Sequence, residues 1–281
     1  MEPETHFAPA LQSPAFVGAK DRDGWVGLFH DDGFVEDPVE AGRYQGTTKI
    51  ETFWDVFIGP QPSVRFEVDR DYWGGDTLMR QATVVNITQA HPTETLRVPA
   101  LICYTLREGK VGSLQAVWEP QKVIAWFVGR GLSGLAALSK HSVRMLSGAG
   151  LGNGMAFGGT LVGGIGHGRG RTIIEAIRNG DPTQWAERLG GATITVAQEA
   201  EAQTFESDAA AALACIQSYV DSISQLAVSQ FIVCGNHLAA FLNDDKGERG
   251  LALMLQVDGH GRVQTMRAIA SQAPRVLGPR D

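Results

Sequence analysis

The chain has 281 residues, of which 43% are hydrophobic and 20% charged, and its formal net charge is −7. This length is typical of about two domains, and the acidic excess argues against a broad nucleic-acid interface, which needs clustered positive charge. Three cysteines (Cys103, Cys215 and Cys234) are too few for a disulfide framework, and none forms a CxxC pair. The acidic, proline-containing N-terminus is unlike a signal peptide, so we expect a cytoplasmic protein.

The first 120 residues predict helices followed by strands. Ser13 and the proline after it predict the start of a first helix, and a shorter helix is predicted near Asp23–Phe29. Apolar residues recurring at i, i+3, i+4 and i+7 predict a third helix beginning near Thr47. Beyond residue 60 the hydrophobic period becomes two, and four strand-like runs follow up to Trp118. This order is typical of an α+β fold with helices over one face of a curved sheet.

Glycine usage separates the front of the chain from the back. Of the 34 glycines, 11 fall between Gly148 and Gly170, and no charged residue occurs from Met145 to Gly166. The segment has neither GxGxxG nor GxxxxGK[ST] spacing, which excludes the usual phosphate-binding loops. We predict a helix after Pro120 followed by a glycine-rich linker. The alternatives are a membrane contact, suggested by the glycine spacing, and a lid over a pocket.

The back of the chain repeats the order of helices and strands. Helices are predicted at Ile173–Arg178, Gln184–Leu189 and Asp208–Gln217, and strands at Ala192–Val196, Ser222–Val228, Phe231–Leu242, Leu251–Val257 and Val263–Ile269. Trp25 and Trp185 are 160 residues apart, and GKVGSLQAV from Gly109 parallels GRVQTMRAI from Gly261. We therefore predict two tandem cone-shaped α+β domains, each a curved antiparallel sheet with about three helices on one face. The predicted limits are 1–120 for the first domain, 121–170 for the helix and linker, and 171–281 for a degenerate second copy. We expect the copies to pack as an internal pseudo-dimer, and a homo-oligomer stays open.

Candidate chemistry rests on carboxylates and aromatic rings. The seven histidines are scattered without metal-ligand spacing, and no GxSxG motif occurs, so we expect neither a metal nor a cofactor. Asp37 follows a short apolar strand, and a carboxyl group surrounded by rings has a raised pKa that suits acid–base chemistry. The alternative is that Asp37 only ends the strand before Pro38 and satisfies turn backbone groups.

The segment LFHDDGFVEDPVEAGRYQGTTKIETFW and the strand VGSLQAVWEP resemble the ketosteroid isomerase and SnoaL-like branch of the nuclear transport factor two-like superfamily. The resemblance rests on Asp31-Asp32, Val35–Pro38 and Gly46 before a helix. It covers residues 13 to about 120, whereas residues 171–270 match only in the order of elements and in one strand. It implies that Asp37 is a general base that carries a proton between carbons of a steroid- or polyketide-like carbonyl compound.

The resemblance does not extend to the oxyanion hole of the isomerases. Their donor tyrosine falls at Ser13 or Phe16, and their protonated aspartate falls at Ile102. Tyr104, on the same strand face as Ile102, and the indole of Trp118 could substitute. Phe29 and Trp54 correspond to tyrosines near the base. The expected substrate-binding residues are therefore Phe16, Phe29, Trp54, Ile102, Tyr104 and Trp118.

These residues favour an isomerase-like proton-transfer enzyme acting on a hydrophobic, polycyclic carbonyl compound. Two alternatives stay open: a non-catalytic small-molecule binder or scaffold, and a SnoaL-like cyclase or dehydratase. Ser13 and Ile102 favour the alternatives, while Asp37 and the aromatic residues favour the isomerase. At the position of Asp37 the second copy has Ala197, so a structural or regulatory role is expected for that copy. The expected partner is a hydrophobic small molecule and not a nucleic acid, and contact with a membrane is a less favoured alternative than a linker for the glycine-rich segment.

Overall fold

The computed structural model describes residues 3–162, 164–179, 187–189, 191–198, 201–221, 226–271 and 275–276. The chain divides into two compact units. Among the described residues, the first unit contains those up to Asp69 together with Arg80–Val162. The second contains Arg70–Met79 and the residues that follow Val162, up to residue 276. Each unit combines a sheet with helices, which confirms the predicted α+β class.

In the first unit, helices occur before, between and after the strands along the chain. The helices are α1 (Pro3–His6), α2 (Ala8–Ala19), α3 (Arg22–Gly27), α4 (Thr47–Phe53) with a π-helical continuation (Trp54–Ile58), α5 (Pro120–Val128) and α6 (Gly131–Val162). The strands are β1 (Phe29–Glu36), β2 (Tyr44–Gln45), β3 (Ser63–Gly74), β4 (Thr77–Thr88), β5 (His91–Arg107) and β6 (Lys110–Trp118). The end of β3 from Arg70 and the start of β4 up to Met79 are grouped with the second unit. Within the sheet they follow the order β3-β4-β5-β6-β1-β2. The sheet is mixed rather than wholly antiparallel, because β1 and β6 pair in parallel.

Helix α2 begins earlier than the sequence predicted. It starts at Ala8, with Pro9 in the first turn, where a missing N–H needs no partner. Ser13 is therefore not a cap but lies inside the helix. Pro14 cannot donate to the carbonyl of Ala10, four residues earlier, and a guanidinium N–H of the buried Arg80 donates to that oxygen instead at 3.3 Å. The helix continues through Pro14 because the buried carbonyl of Ala10, which lacks its backbone donor, has a substitute donor in Arg80.

The second unit repeats the topology of the first. Its elements are α7 (His167–Asn179), β7 (Thr193–Gln198), β8 (Glu201–Glu206), α8 (Ala209–Asp221), β9 (Ala227–Cys234), β10 (His237–Asn243), β11 (Gly250–Val257), β12 (Val263–Ser271) and β13 (Arg275–Val276). Its strands follow the order β8-β7-β12-β11-β10-β9. Read from the opposite edge, the first sheet has the order β2-β1-β6-β5-β4-β3, so each strand corresponds to the one numbered six higher. The pair β7–β12 is parallel, like β1–β6. The predicted second copy is therefore confirmed by the strand order.

Some predicted elements of the second unit differ in their limits. The run Phe231–Leu242, predicted as one strand, is the hairpin β9–β10, whose turn contains Gly235 with φ 56°. The predicted helix from Gln184 and the predicted strand from Ser222 both begin at residues outside the described part of the chain. Trp185 also lies outside it. Residues 70–79 belong to this unit: the ring of Tyr72 stacks on Phe241 at 5.4 Å.

The glycine-rich segment predicted as a linker is helical up to Val162 and is grouped with the first unit. Ala137, Leu138 and Leu161 of α6 line a cavity of that unit. We attribute the helix to this apolar contact, because its glycines alone disfavour helical structure. In the described part of the chain no helix is both long and apolar enough to span a membrane. The domain limits 1–120, 121–170 and 171–281 otherwise stay a prediction.

The parallel pair β1–β6 depends on a glycine. The register shifts between Phe29 and Phe34, and a Cβ atom on Gly33 would lie 2.8 Å from the carbonyl oxygen of His30 and 2.9 Å from that of Val111. We expect Gly33→Ala to lower the free energy of unfolding by about 1–3 kcal/mol, since the backbone must shift. The measurement is urea unfolding followed by circular dichroism. Gly27→Ala is the control, because a Cβ there has no neighbour within 4 Å; equal stability of the two variants would contradict the prediction.

Candidate active site

A cavity of about 580 Å³ lies within the first unit and is lined by its strands and helices. This volume is within the usual range of small-molecule sites. Side chains alternate along a strand, and every second residue of β5 from Leu96 to Tyr104 lines the cavity. In β6 the lining residues are Leu114, Ala116 and Trp118. Ile102 pairs with Ala116, so the two strands present one continuous apolar face.

Four of the seven predicted site residues meet in this cavity. Asp37, Ile102, Tyr104 and Trp118 all belong to its lining. Asp37 and Lys140 are the charged residues of the described lining, so the surroundings of the carboxyl group are mainly apolar. The geometry is therefore that of an isolated acid–base group at an apolar ligand site, and the roles of these residues stay a prediction.

The other three predicted residues are not part of the lining that the described residues form. Phe29 and Trp54 are buried and pack against the ring of Trp25, with ring centroids 4.8 and 5.5 Å from it. Phe16 lies beside Gly24. The ring of Trp25 lines the cavity. Phe29 and Trp54 pack behind that ring in the core, so their own rings do not reach the cavity.

Several cavity residues were missed in the sequence. Phe53 and Phe57 line the cavity, and their separation of one helical turn, beside Trp54, was a signal that this face is the inner one. Val123, Ile124 and Phe127 of α5 also line it. Nothing in the sequence distinguished this apolar helix from one that packs in an ordinary core.

Asp37 is held by the parallel strand pair. Glu36, the last residue of β1, is in register with Gln115 of β6, and the backbone N–H of Val39 donates to the carbonyl of Ala116 at 2.9 Å. These contacts fix the chain on both sides of Asp37. The indole Nε1–H of Trp118 then donates to Oδ1 of Asp37 at 2.5 Å.

The surroundings raise the pKa of Asp37 to about 6. Removal of the carboxyl group from water is the main cause, and the hydrogen bond from Trp118 acts in the opposite direction by stabilising the carboxylate. At neutral pH the group is thus mostly ionised, yet it is a stronger base than an ordinary aspartate. Among the described residues, no cluster of three or more histidine, cysteine or acidic side chains could hold a metal ion.

A second polar group of the cavity is centred on Ser13. Its Oγ accepts a hydrogen bond from the indole of Trp25 at 3.0 Å and one from the hydroxyl of Tyr104 at 3.2 Å. A serine oxygen has two lone pairs and one proton, so these two bonds leave the Ser13 proton to be donated. Ser13 and Tyr104 both line the cavity. The sequence suggested Tyr104 as a substitute donor but gave no sign of its contact with Ser13.

Part of the chain is similar to known proteins. Residues 11–113 match the model of the SnoaL-like domain, while no curated protein matches the chain. Among solved structures, a Δ5-3-ketosteroid isomerase from Mycobacterium sp. is 22% identical, with a TM-score of 0.37, covering 42% of this chain and 95% of its own. A Mycobacterium tuberculosis protein in complex with estradiol-17β-hemisuccinate is 19% identical, with a TM-score of 0.37, covering 41% of this chain and 93% of its own.

The polyether enzyme SalBIII, an epoxide hydrolase/cyclase-like enzyme, is 18% identical, with a TM-score of 0.38, covering 42% of this chain and 92% of its own. Each of these structures corresponds to less than half of the chain. Residues 11–113 are therefore similar to a SnoaL-like domain, and the second sheet repeats the strand order of the first.

Proposed function

We propose that the first unit is a proton-transfer enzyme that acts on a hydrophobic, polycyclic carbonyl compound, with Asp37 as the general acid/base. The observation that carries the proposal is a single carboxyl group with a pKa of about 6 in a mainly apolar cavity. A general base works best when its pKa lies near the working pH. Desolvation supplies that pKa without a neighbouring charge.

The reaction needs two groups of this chain. The carboxylate of Asp37 removes a proton from a carbon next to the substrate carbonyl, and the electron pair of the broken C–H bond moves into the carbonyl to form an enolate. The Ser13 hydroxyl, whose oxygen is held by Trp25 and Tyr104, donates a hydrogen bond to the enolate oxygen. Protonated Asp37 then returns the proton to a different carbon. The substrate carbonyl serves as the electron sink.

The second candidate is a small-molecule binder that retains the cavity without catalysis. It is favoured by Ile102, an apolar side chain on the inner strand face, and by the weak acidity of a serine hydroxyl compared with a phenol. Loss of one oxyanion donor costs about 100- to 1000-fold in rate. A cyclase or dehydratase would use Asp37 in the same way, and differs from an isomerase in the substrate rather than in the base.

Substitution of Asp37 separates enzyme from binder. With a Δ5-3-ketosteroid as substrate, we expect Asp37→Asn to lower kcat by about 100- to 10,000-fold, the usual contribution of a general base, with little change in ligand affinity. The measurements are the absorbance of the conjugated product and ligand titration. Glu36→Gln is the control, because this adjacent carboxyl bonds to Gln115 and is not part of the described lining. If the ketosteroid binds but the wild type does not convert it, the isomerase activity is excluded and binding is favoured.

Loss of the Trp118 hydrogen bond should move the pH profile. The rate constant kcat/KM should increase with pH through the pKa of Asp37, about 6, since the base must be ionised. Trp118→Phe removes the bond that stabilises the carboxylate, so the midpoint should rise by about one pH unit. Trp126→Phe is the matched control, because Trp126 lies on α5 and outside the described lining. An unchanged midpoint in Trp118→Phe would show that another group limits the rate.

The raised pKa also predicts a pH-dependent cost in stability. The folded pKa of about 6 exceeds the ordinary value of 3.8, so the folded state binds more protons than the unfolded state between these values. Stability from this group is therefore lost as pH rises from about 4 to about 6, by up to ~3 kcal/mol. We expect Asp37→Asn to be more stable than the wild type at pH 8 and equally stable at pH 4. Urea unfolding at both pH values is the measurement, and a constant difference would contradict burial of the charge.

A further inference from the structure

The large hydrophobic side chains that are exposed in the described part of the chain are all on α5 and α6. Leu132 is 86% exposed and Met155 75%, and Val128, Leu135 and Val143 are also exposed. Monomeric proteins rarely concentrate exposed apolar residues in one place unless the surface has a partner. Leu132, Leu135 and Val143 share one side of α6, whereas Met155 lies on a different side of that helix. We call Val128, Leu132, Leu135 and Val143 the α5–α6 surface.

The charge of this region points to the nature of the partner. Between Glu119 and Glu175 the sequence contains no acidic residue, whereas Lys122, Arg130 and Lys140 occur there together with Arg144. Lys122 and Lys140 are exposed, while ion pairs join Lys122 to Glu119 and Arg130 to Glu94. The two ion pairs compensate the charges of Lys122 and Arg130. Lys140 and Arg144 are the cations of α6, and their positive charge is complementary to an anionic partner.

The glycine content of α6 favours contact of the helix with an apolar surface over contact with water. Eight of its 32 residues are glycine, and each costs about 1 kcal/mol relative to alanine in a helix. Contact with the cavity stabilises one side of the helix. Contact of the exposed side with an apolar phase would add to this stabilisation, because backbone groups that are not hydrogen-bonded are costly there. Cationic side chains beside exposed apolar ones are typical of helices that lie at a bilayer surface.

The same two helices line the ligand cavity. Phe127 of α5 is adjacent in sequence to the exposed Val128, and Leu138 of α6 lies one turn from Leu135 on the exposed surface. Lys140 belongs to the lining and is itself exposed. An apolar ligand passing between a bilayer and this cavity would therefore meet these helices first.

We propose that the α5–α6 surface docks on anionic lipid bilayers and that the cavity exchanges its hydrophobic ligand with the membrane there. Val128, Leu132, Leu135 and Val143 enter the interface, and the exposed Lys140 contacts lipid phosphates. The docking does not depend on catalysis by Asp37, so the two proposals can fail separately.

The test is vesicle flotation with the full chain. We expect binding to vesicles of equal parts phosphatidylcholine and phosphatidylglycerol, weaker binding at high salt, and little binding to phosphatidylcholine alone. Leu132→Ser/Leu135→Ser should weaken binding to the anionic vesicles by about tenfold or more, because both side chains would lose their contact with the acyl region. Neither residue is part of the described cavity lining, so binding of an apolar fluorescent probe should be unchanged.

Ser133→Ala/Ser139→Ala is the matched control, since both serines are exposed on the same helix and should leave flotation unchanged. The proposal is overturned if the wild type does not float, if it binds both vesicle types equally, or if the double leucine variant binds like the wild type. It is also overturned if the wild type dimerises in solution and the leucine variant is monomeric, because the occupant of the surface would then be a second copy.

Discussion

The hydrogen bond between Trp118 and Asp37 is the interaction on which the site depends, and the parallel pairing of β1 and β6 makes it. Asp37 follows β1 and Trp118 ends β6, 81 residues apart in the chain. Because the two strands run in the same direction, their final residues reach the same end of the sheet. The pairing thus brings the carboxyl group of Asp37 and its indole donor together at the wall of the cavity. Desolvation and this bond have opposing effects on the pKa of Asp37, and desolvation is the larger.

The position of Ser13, the centre of the second polar group, also depends on a hydrogen bond to the backbone. Pro14 leaves the carbonyl of Ala10 open, and the buried Arg80 donates to it. Helix α2 can therefore continue through Pro14, and Ser13 is placed inside the helix rather than at its beginning. Had Ser13 capped the helix, its oxygen would have accepted a backbone N–H. Instead it accepts from Trp25 and Tyr104 and keeps a proton for a ligand.

The sequence predicted the features that depend on local pattern. Alternation along β5 and β6 placed Ile102 and Tyr104 on one face, and the motif ending at Pro38 indicated Asp37. It did not predict which rings reach the cavity, because Trp25, Phe29 and Trp54 have the same apolar character and only tertiary packing decides which of them is the wall. It also assigned a linker to α6, since glycine content argues against a helix and the stabilising contact with the cavity is not a local property.

The second copy shows what happens when the same strand order is kept without the base. The bulge between Thr105 and Leu106 corresponds to that between Gln256 and Val257, which fixes the alignment of β6 with β12 at 152 residues. In the parallel pairs, Glu36 is in register with Gln115, and Thr195 is in register with Arg267. Because Arg267 is 152 residues after Gln115, Thr195 corresponds to Glu36. Val196 therefore corresponds to Asp37, one residue before the Ala197 that sequence spacing indicated.

Val196 is buried in the apolar core of its unit, among side chains such as Ile194 and Ala268. A carboxyl group there would be desolvated without the indole that Trp118 provides to Asp37, since the corresponding position on β12 is Ala270. Burial of an unpaired charge is costly. The position that holds a desolvated carboxyl group in the first unit therefore holds an apolar core residue in the second. This difference between the units follows from the residues at two aligned positions on parallel strands.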